Sequence, residues 1–72
     1  MIVWKPIPDE DEEFALVLGG KLAVYEADGV WCWEIIAIDK HGMRWARTGK
    51  KKTIRHAKDA AMLEWGRIKE AP

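Results

Sequence analysis

Residues 21–38, KLAVYEADGVWCWEIIAI, decide the fold of this chain. Two runs rich in Val, Ile, Tyr and Trp flank Asp28-Gly29, a two-residue sequence typical of β-hairpin turns. Such a turn fixes the register and places Leu22 opposite Ile35, so that paired residues share a face. The bulkier and more apolar face, predicted to form the core, holds Leu22, Val24, Trp31, Trp33, Ile35 and Ala37.

Downstream of the hairpin, the chain predicts one more strand and a helix. Residues 43–48 follow a turn at 39–42 and read as a strand, whereas Gly49 and the lysines at 50–52 are expected to form a loop. Thr53 is predicted to cap a helix from about Ile54 to about Lys69. At 100° per residue its apolar stripe holds Ile54, Ala57, Ala61, Trp65 and Ile68, with Leu63 opposite and exposed.

Upstream of the hairpin, residues 1–13 read as an extended acidic arm. Pro6 and Pro8 restrict the backbone, and the run of acids at 9–13 repels itself. Residues 14–18 are apolar and fit either a short strand or a single helical turn. We therefore predict one small α+β domain over residues 14–72. It is an antiparallel β-meander of three to four strands with one C-terminal helix packed on one face.

Composition argues against catalysis and against a metal or cofactor. Seventy-two residues make one domain. Cys32 is the only cysteine, so no intrachain disulfide is expected, and His41 and His56 lack partners at catalytic or ligand spacing. No stretch approaches 18 apolar residues and no signal peptide is visible, which predicts a cytoplasmic protein without a membrane partner. The expectation is a non-enzymatic protein that needs no cofactor.

Charge is distributed unevenly along the chain. Residues 1–39 carry a net charge of −7 and residues 40–72 one of +7. Such an asymmetry is a hint of contact with a nucleic acid or another charged partner. The alternative is that the acidic segment folds back on the basic half, or that both are solvated faces. A groove that tracks a nucleic-acid backbone uses Lys and Arg on phosphates and an aromatic ring for stacking. The candidate nucleic-acid-binding residues are Arg44, Trp45, Arg47, Lys50, Lys51, Lys52 and Arg55. A solubilising loop is the alternative interpretation.

The second turn decides where Trp45 lies. A three-residue loop at 40–42, with Gly42 left-handed, pairs Ala37 with Trp45 and places Trp45 in the core; glycine at the third position favours this geometry. A loop of two or four residues places Trp45 on the opposite face. An apolar patch there would mark a protein partner or a homodimer. The candidate protein-interface residues are Tyr25, Glu34, Ile36, Ile38 and Trp45.

Three stretches carry a resemblance to known DNA-binding domains. They are Trp31–Ile35, the Met43-Arg44-Trp45 strand, and residues 53–60, which have the Thr-x-x-x-Ala-x-x-Ala pattern. Over residues 21–69 the chain resembles ethylene-response-factor type DNA-binding domains and the arm-binding domains of phage and transposon integrases. That resemblance implies a sheet face in the major groove, with Glu34 and Trp45 at contact positions, although Ile36 and Met43 stand where the family has arginines.

The sequence thus predicts a small non-catalytic binding module, with nucleic-acid binding favoured through the third strand, the following loop and the helix start. The alternative is a protein-interaction or inhibitor module that uses the apolar outer face of the sheet. The Trp-rich pattern is also similar to short phage proteins that bind and block host proteins, so a phage or mobile-element origin belongs to this alternative.

Overall fold

A computed structural model describes residues 2–38, 41–42 and 44–70, and the side chains of Trp45, Lys69 and Glu70 lie outside this description. The elements are β1 (Lys5–Pro6), β2 (Glu12–Val17), β3 (Gly20–Ala27), β4 (Val30–Ile38), β5 (Arg44–Lys51) and α1 (Ile54–Glu70). The strands form one antiparallel sheet in chain order. The predicted α+β meander with a C-terminal helix is confirmed, with five strands in place of three to four.

The β3–β4 hairpin forms as its turn residues predict. Asp28 and Gly29 have φ angles of 53° and 79°, and two positive φ values in a two-residue turn match the right-handed twist of the strands. Leu22 pairs with Ile35, as predicted. Leu22 and Ile35 are fully buried against α1, so the face predicted to be internal forms the core.

The third predicted strand, β5, is longer than expected and includes Gly49, Lys50 and Lys51. Lysine and glycine are poor strand formers, which is why the sequence favoured a loop there. An edge strand tolerates them because its charged side chains remain in solvent. Gly49 also meets a packing requirement, since it lies opposite Trp33 and a Cβ there would stand 2.5 Å from the indole ring.

The N-terminal segment, predicted as an extended arm, contributes to the sheet and to the core. Lys5 pairs with Phe14, β2 begins at Glu12, and Ile2 and Trp4 pack against the core. The acids at 9–11 lie in the connection between β1 and β2, where their charges stay in solvent. Charge repulsion therefore does not prevent the segment from packing. The Met1 position lies outside the described residues.

Lys58 of α1 ties this segment to the helix. Its Nζ lies 2.8 Å from Glu13 Oε1 and 5.5 Å from the centre of the Trp4 ring. The ion pair is mostly shielded from solvent, which reduces screening by salt. The Trp4 Nε1 is buried with no acceptor among the described residues, so packing and the cation hold this indole in place.

Helix α1 begins where its capping residue predicts. The His56 amide donates to Thr53 Oγ1 over 3.2 Å, the hydrogen bond of an N-cap. Ala57 and Ala61 are fully buried, because small side chains let the helix approach the sheet closely, and Leu63 on the opposite side is 60% exposed. The predicted helical stripe is thus confirmed. In the described part of the chain, the structure contains no helix with the length and apolarity that crossing a membrane requires.

Candidate functional site

Helix α1 covers one face of the sheet, and this arrangement leaves two surfaces of interest. The first is the outer face, the side of the sheet away from α1. The second is the free edge of β5, which pairs only with β4. Because side chains alternate along a strand, β5 contributes residues to both faces of the sheet.

The predicted nucleic-acid-binding residues of β5 divide between the two faces. Arg44 pairs with Ile38, and Lys50 with Cys32, which places both cations on the outer face. Arg47 and Lys51 alternate with them and lie on the side of α1. The cations therefore flank one edge of the sheet from both sides and do not form a patch on a single face.

Arg47 differs from the other cations because it is already paired. Its Nη1 lies 3.2 Å from Glu64 Oε1, and Arg67 Nη1 lies 3.7 Å from Glu64 Oε2. Within the described part of the chain, no carboxylate forms an ion pair with the other predicted cations, and all of these are exposed. We call this set the basic edge: Arg44, Lys50, Lys51, Lys52 and Arg55.

The basic edge is extended, and no carboxylate of the described residues lies within ion-pair distance of it. Arg44 and Lys50 are six residues apart on one strand, which corresponds to about 20 Å. Lys52 and Arg55 continue the edge into the first turn of α1, which contains no acid. Since the N-terminus of a helix carries a partial positive charge, the backbone adds to the field of these side chains.

Trp45 pairs with Ala37, and Gly42 has a φ angle of 78°. This is the register that the three-residue loop predicts, and it places Trp45 in the row that faces α1. The Trp45 side chain and the Lys40 and Met43 positions lie outside the described residues. A stacking role for Trp45 therefore stays a prediction.

The outer face has no second layer among the described residues. Leu16 is 71% exposed, Ile38 58%, and Leu18, in the adjoining turn, is fully exposed. The predicted interface residues Tyr25, Glu34, Ile36 and Ile38 all lie on this face. Trp45 has the register position of the other face, the one that α1 covers. The sequence interpretation missed Phe14 and Leu16 because it left open whether residues 14–18 form a strand.

Tyr25 lies near the middle of the outer face in a negatively charged setting. Tyr25 pairs with Cys32 across β3 and β4. Partial desolvation raises the pKa of Tyr25 above 10.0, and negative charge on Cys32, Glu34 and Glu12 raises this pKa further. The phenol is therefore neutral at physiological pH and can donate a hydrogen bond.

Metal-binding groups do not converge in the described residues. No set of three His, Cys, Asp or Glu side chains stands close enough to hold a metal ion in that part of the chain. Cys32 is buried. His56 and Asp59 line an open depression together with Lys51, Ala60 and Leu63.

Comparisons with known proteins leave the chain without an assignment. No protein family, curated protein or solved structure matches it. The resemblance to DNA-binding domains therefore remains a prediction from the sequence, and the functional argument depends on the basic edge and the outer face.

Proposed function

We propose that this protein is a non-catalytic binding module that binds single-stranded nucleic acid along the basic edge. One observation carries the proposal: five exposed cations follow one strand edge and the start of α1, and no carboxylate of the described residues forms an ion pair with them. Phosphates are the ligands that such a track of Lys and Arg attracts, and helix N-termini favour them as well.

The dimensions fit a short stretch of nucleic-acid backbone. The strand part of the basic edge is about 20 Å long, a length that a few nucleotides of extended backbone would cover. Single-strand binding modules occupy about 4–16 nucleotides. Cations on both sides of an edge can contact one backbone from two directions, which favours a single strand as the ligand.

Base reading by the outer face, as the resembled family would use it, receives less support. Glu34 lies in the middle of that face with Ile36 beside it, and a carboxylate beside apolar side chains repels phosphates. Binding should therefore depend on charge and be nearly independent of base sequence.

The test is a titration of labelled single-stranded and double-stranded DNA, followed by fluorescence anisotropy at several salt concentrations. Five phosphate contacts predict a slope of about −3.5 for log K against log salt. A fourfold increase in salt should then weaken binding about 100-fold. No binding to either DNA at low salt would refute the proposal.

A triple variant locates the contacts. Replacing Lys51, Lys52 and Arg55 with alanine should reduce the slope by about 2, since each phosphate contact contributes about 0.7 for a single strand. Arg67→Ala is the matched control, because Arg67 is an exposed arginine on α1 outside the basic edge. An unchanged slope in the triple variant, or an equal loss in the control, would contradict the assigned contacts.

We also propose protein binding through the outer face as a second function. The exposed apolar side chains of Leu16, Leu18 and Ile38 support it, since a sheet normally covers its apolar face with another layer.

A further inference from the structure

We propose that the outer face is a homodimer interface, in which a second copy of this chain packs its outer face against the first. The two-fold axis runs parallel to the strands, between β3 and β4. This inference builds on the second proposed function and names the partner. It is independent of nucleic-acid binding, because most of the basic edge lies outside this interface.

The charges of the outer face are arranged for such a pairing. The strand register places Glu12, Tyr25, Cys32 and Lys50 in one row across β2 to β5, so that the row has an acid at one end and a base at the other. An axis between β3 and β4 places β2 of one copy opposite β5 of the other. Glu12 of each copy then faces Lys50 of the second copy, which gives two equivalent ion pairs.

Other two-fold axes along the strands bring like charges together. An axis on β3 places Lys21 opposite its own copy, and an axis on β4 does the same for Glu34. Axes across the strands have the same defect when they run through the row of Lys21 or of Glu34, or midway between these rows, where Arg44 opposes Lys50. Like charges directly opposed at an interface are unfavourable. Among these axes, the one between β3 and β4 is favoured because it places Glu12 opposite Lys50 and opposes no like charges.

The apolar side chains are complementary in the selected arrangement. Leu16 and Ala46 share a row at opposite ends, as do Phe14 and Thr48. Each large side chain therefore faces a small one of the second copy, which suits two sheets packed about 10 Å apart. Lys21 faces Ile36 of the second copy. Glu34 of the second copy lies one row away, within reach of the Lys21 side chain.

The area of the face predicts a weak dimer. Four strands about 4.8 Å apart and about 27 Å long give roughly 500 Å² per copy, or about 1,000 Å² in total. That is the lower limit for a specific interface. We therefore expect a dissociation constant on the order of 10–100 µM, with monomer in excess at low concentration.

The test measures self-association of the full chain by sedimentation velocity, without nucleic acid, at concentrations from below to above that dissociation constant. Lys50→Glu and Glu12→Lys should each weaken the dimer roughly tenfold or more, because each creates two like-charge contacts. The double variant should restore it, since the charges are exchanged and opposite again. Circular dichroism of each variant checks that the fold is intact.

Lys51→Glu is the matched control. It makes the same change on the same strand, one residue away, but on the side of α1, and should leave the dimer unchanged. A protein that stays monomeric throughout the series would overturn the proposal. So would a control that weakens association as much as Lys50→Glu, or a double variant that fails to restore it.

The two proposals fail separately. The basic-edge variant changes Lys51, Lys52 and Arg55, none of which lies on the outer face. Its DNA binding is measured by anisotropy at a low protein concentration, at which the monomer predominates. The dimer is scored by sedimentation with no nucleic acid present. In the dimer, Glu12 of the second copy balances the charge of Lys50, and Lys51, Lys52 and Arg55 of each basic edge stay outside the interface.

Discussion

Gly49 of β5 is the position at which a small change should disturb the packing of the sheet most clearly. In the middle of a strand, glycine normally makes a protein less stable than alanine does, by about 0.5–1 kcal/mol. Here the Trp33 ring lies across Gly49. A Cβ at this position would stand 2.5 Å from three indole atoms, Cε2, Cζ2 and Nε1.

The size of the effect follows from that distance. Carbon atoms pack best about 3.5–4.0 Å apart, so the ring must move by about 1 Å or more. Trp33 packs against the buried residues Ala15, Leu22 and Ile35, and a close-packed core offers little room. Overpacking of this kind costs about 1–3 kcal/mol. Alanine is intrinsically more favourable than glycine in a strand, which offsets part of this cost. Gly49→Ala should therefore destabilise the domain by about 1–2 kcal/mol.

Thermal unfolding followed by circular dichroism measures this effect. For a domain of this size, 1 kcal/mol shifts Tm by about 4–8 °C, so the expected decrease is about 4–15 °C. Gly66→Ala is the control, because Gly66 lies inside α1 and an added Cβ would meet no atom within 4 Å. That variant should raise Tm by a few degrees, since alanine is the better helix former.

A double variant tests the cause. In a Trp33→Leu background the ring is absent, and Gly49→Ala should then be neutral or stabilising. A Gly49→Ala protein at least as stable as the parent would refute the reasoning, because it would mean that the indole does not lie across the β5 backbone.

Three further predictions concern the helix and the outer face. Thr53→Ala should lower the free energy of unfolding by about 1 kcal/mol, because the His56 amide loses its acceptor. A denaturant titration whose midpoint does not shift would contradict the N-cap. Ala61→Leu should destabilise by about 1–3 kcal/mol, since Ala61 is fully buried, and an unchanged Tm would show that α1 is not in close contact with the sheet. Tyr25 is the only tyrosine, so phenolate absorbance reports its pKa alone; the midpoint should lie above 10.0 and decrease in Glu34→Gln. Because the pKa of Tyr25 is raised in the folded state, the neutral phenol contributes to stability fully below pH 10.0, and this contribution is lost as pH rises through the folded-state pKa. A titration midpoint at or below 10.0 would contradict the desolvated, negatively charged surroundings of Tyr25.

The local elements were predictable because short-range chemistry determines them. Asp28-Gly29 adopts a tight turn with little help from the rest of the chain, and the turn fixes every pair of the hairpin. Thr53 caps the helix with its own side chain. The spacing of Ala57 and Ala61 sets the buried face of α1.

The elements that were missed depend on contacts between distant residues. Residues 5–6 join the sheet because β2 offers an open edge, and Trp4 is held in place by Lys58, which is 54 residues further along the chain. The lysines at 50–51 belong to a strand because they pair with Cys32 and Trp31 of β4. The strand propensity of those segments does not indicate which distant residues they contact.

For the candidate sites, the sequence by itself determined which residues are charged and that the two halves of the chain have opposite net charge. Only the tertiary structure decided that Arg47 is paired with Glu64, that the other cations flank a free edge, and that Glu12 and Lys50 stand at opposite ends of one row. The physical reason is that charge belongs to single residues, whereas its neutralisation and its position relative to other charges depend on strand register and on where the helix packs.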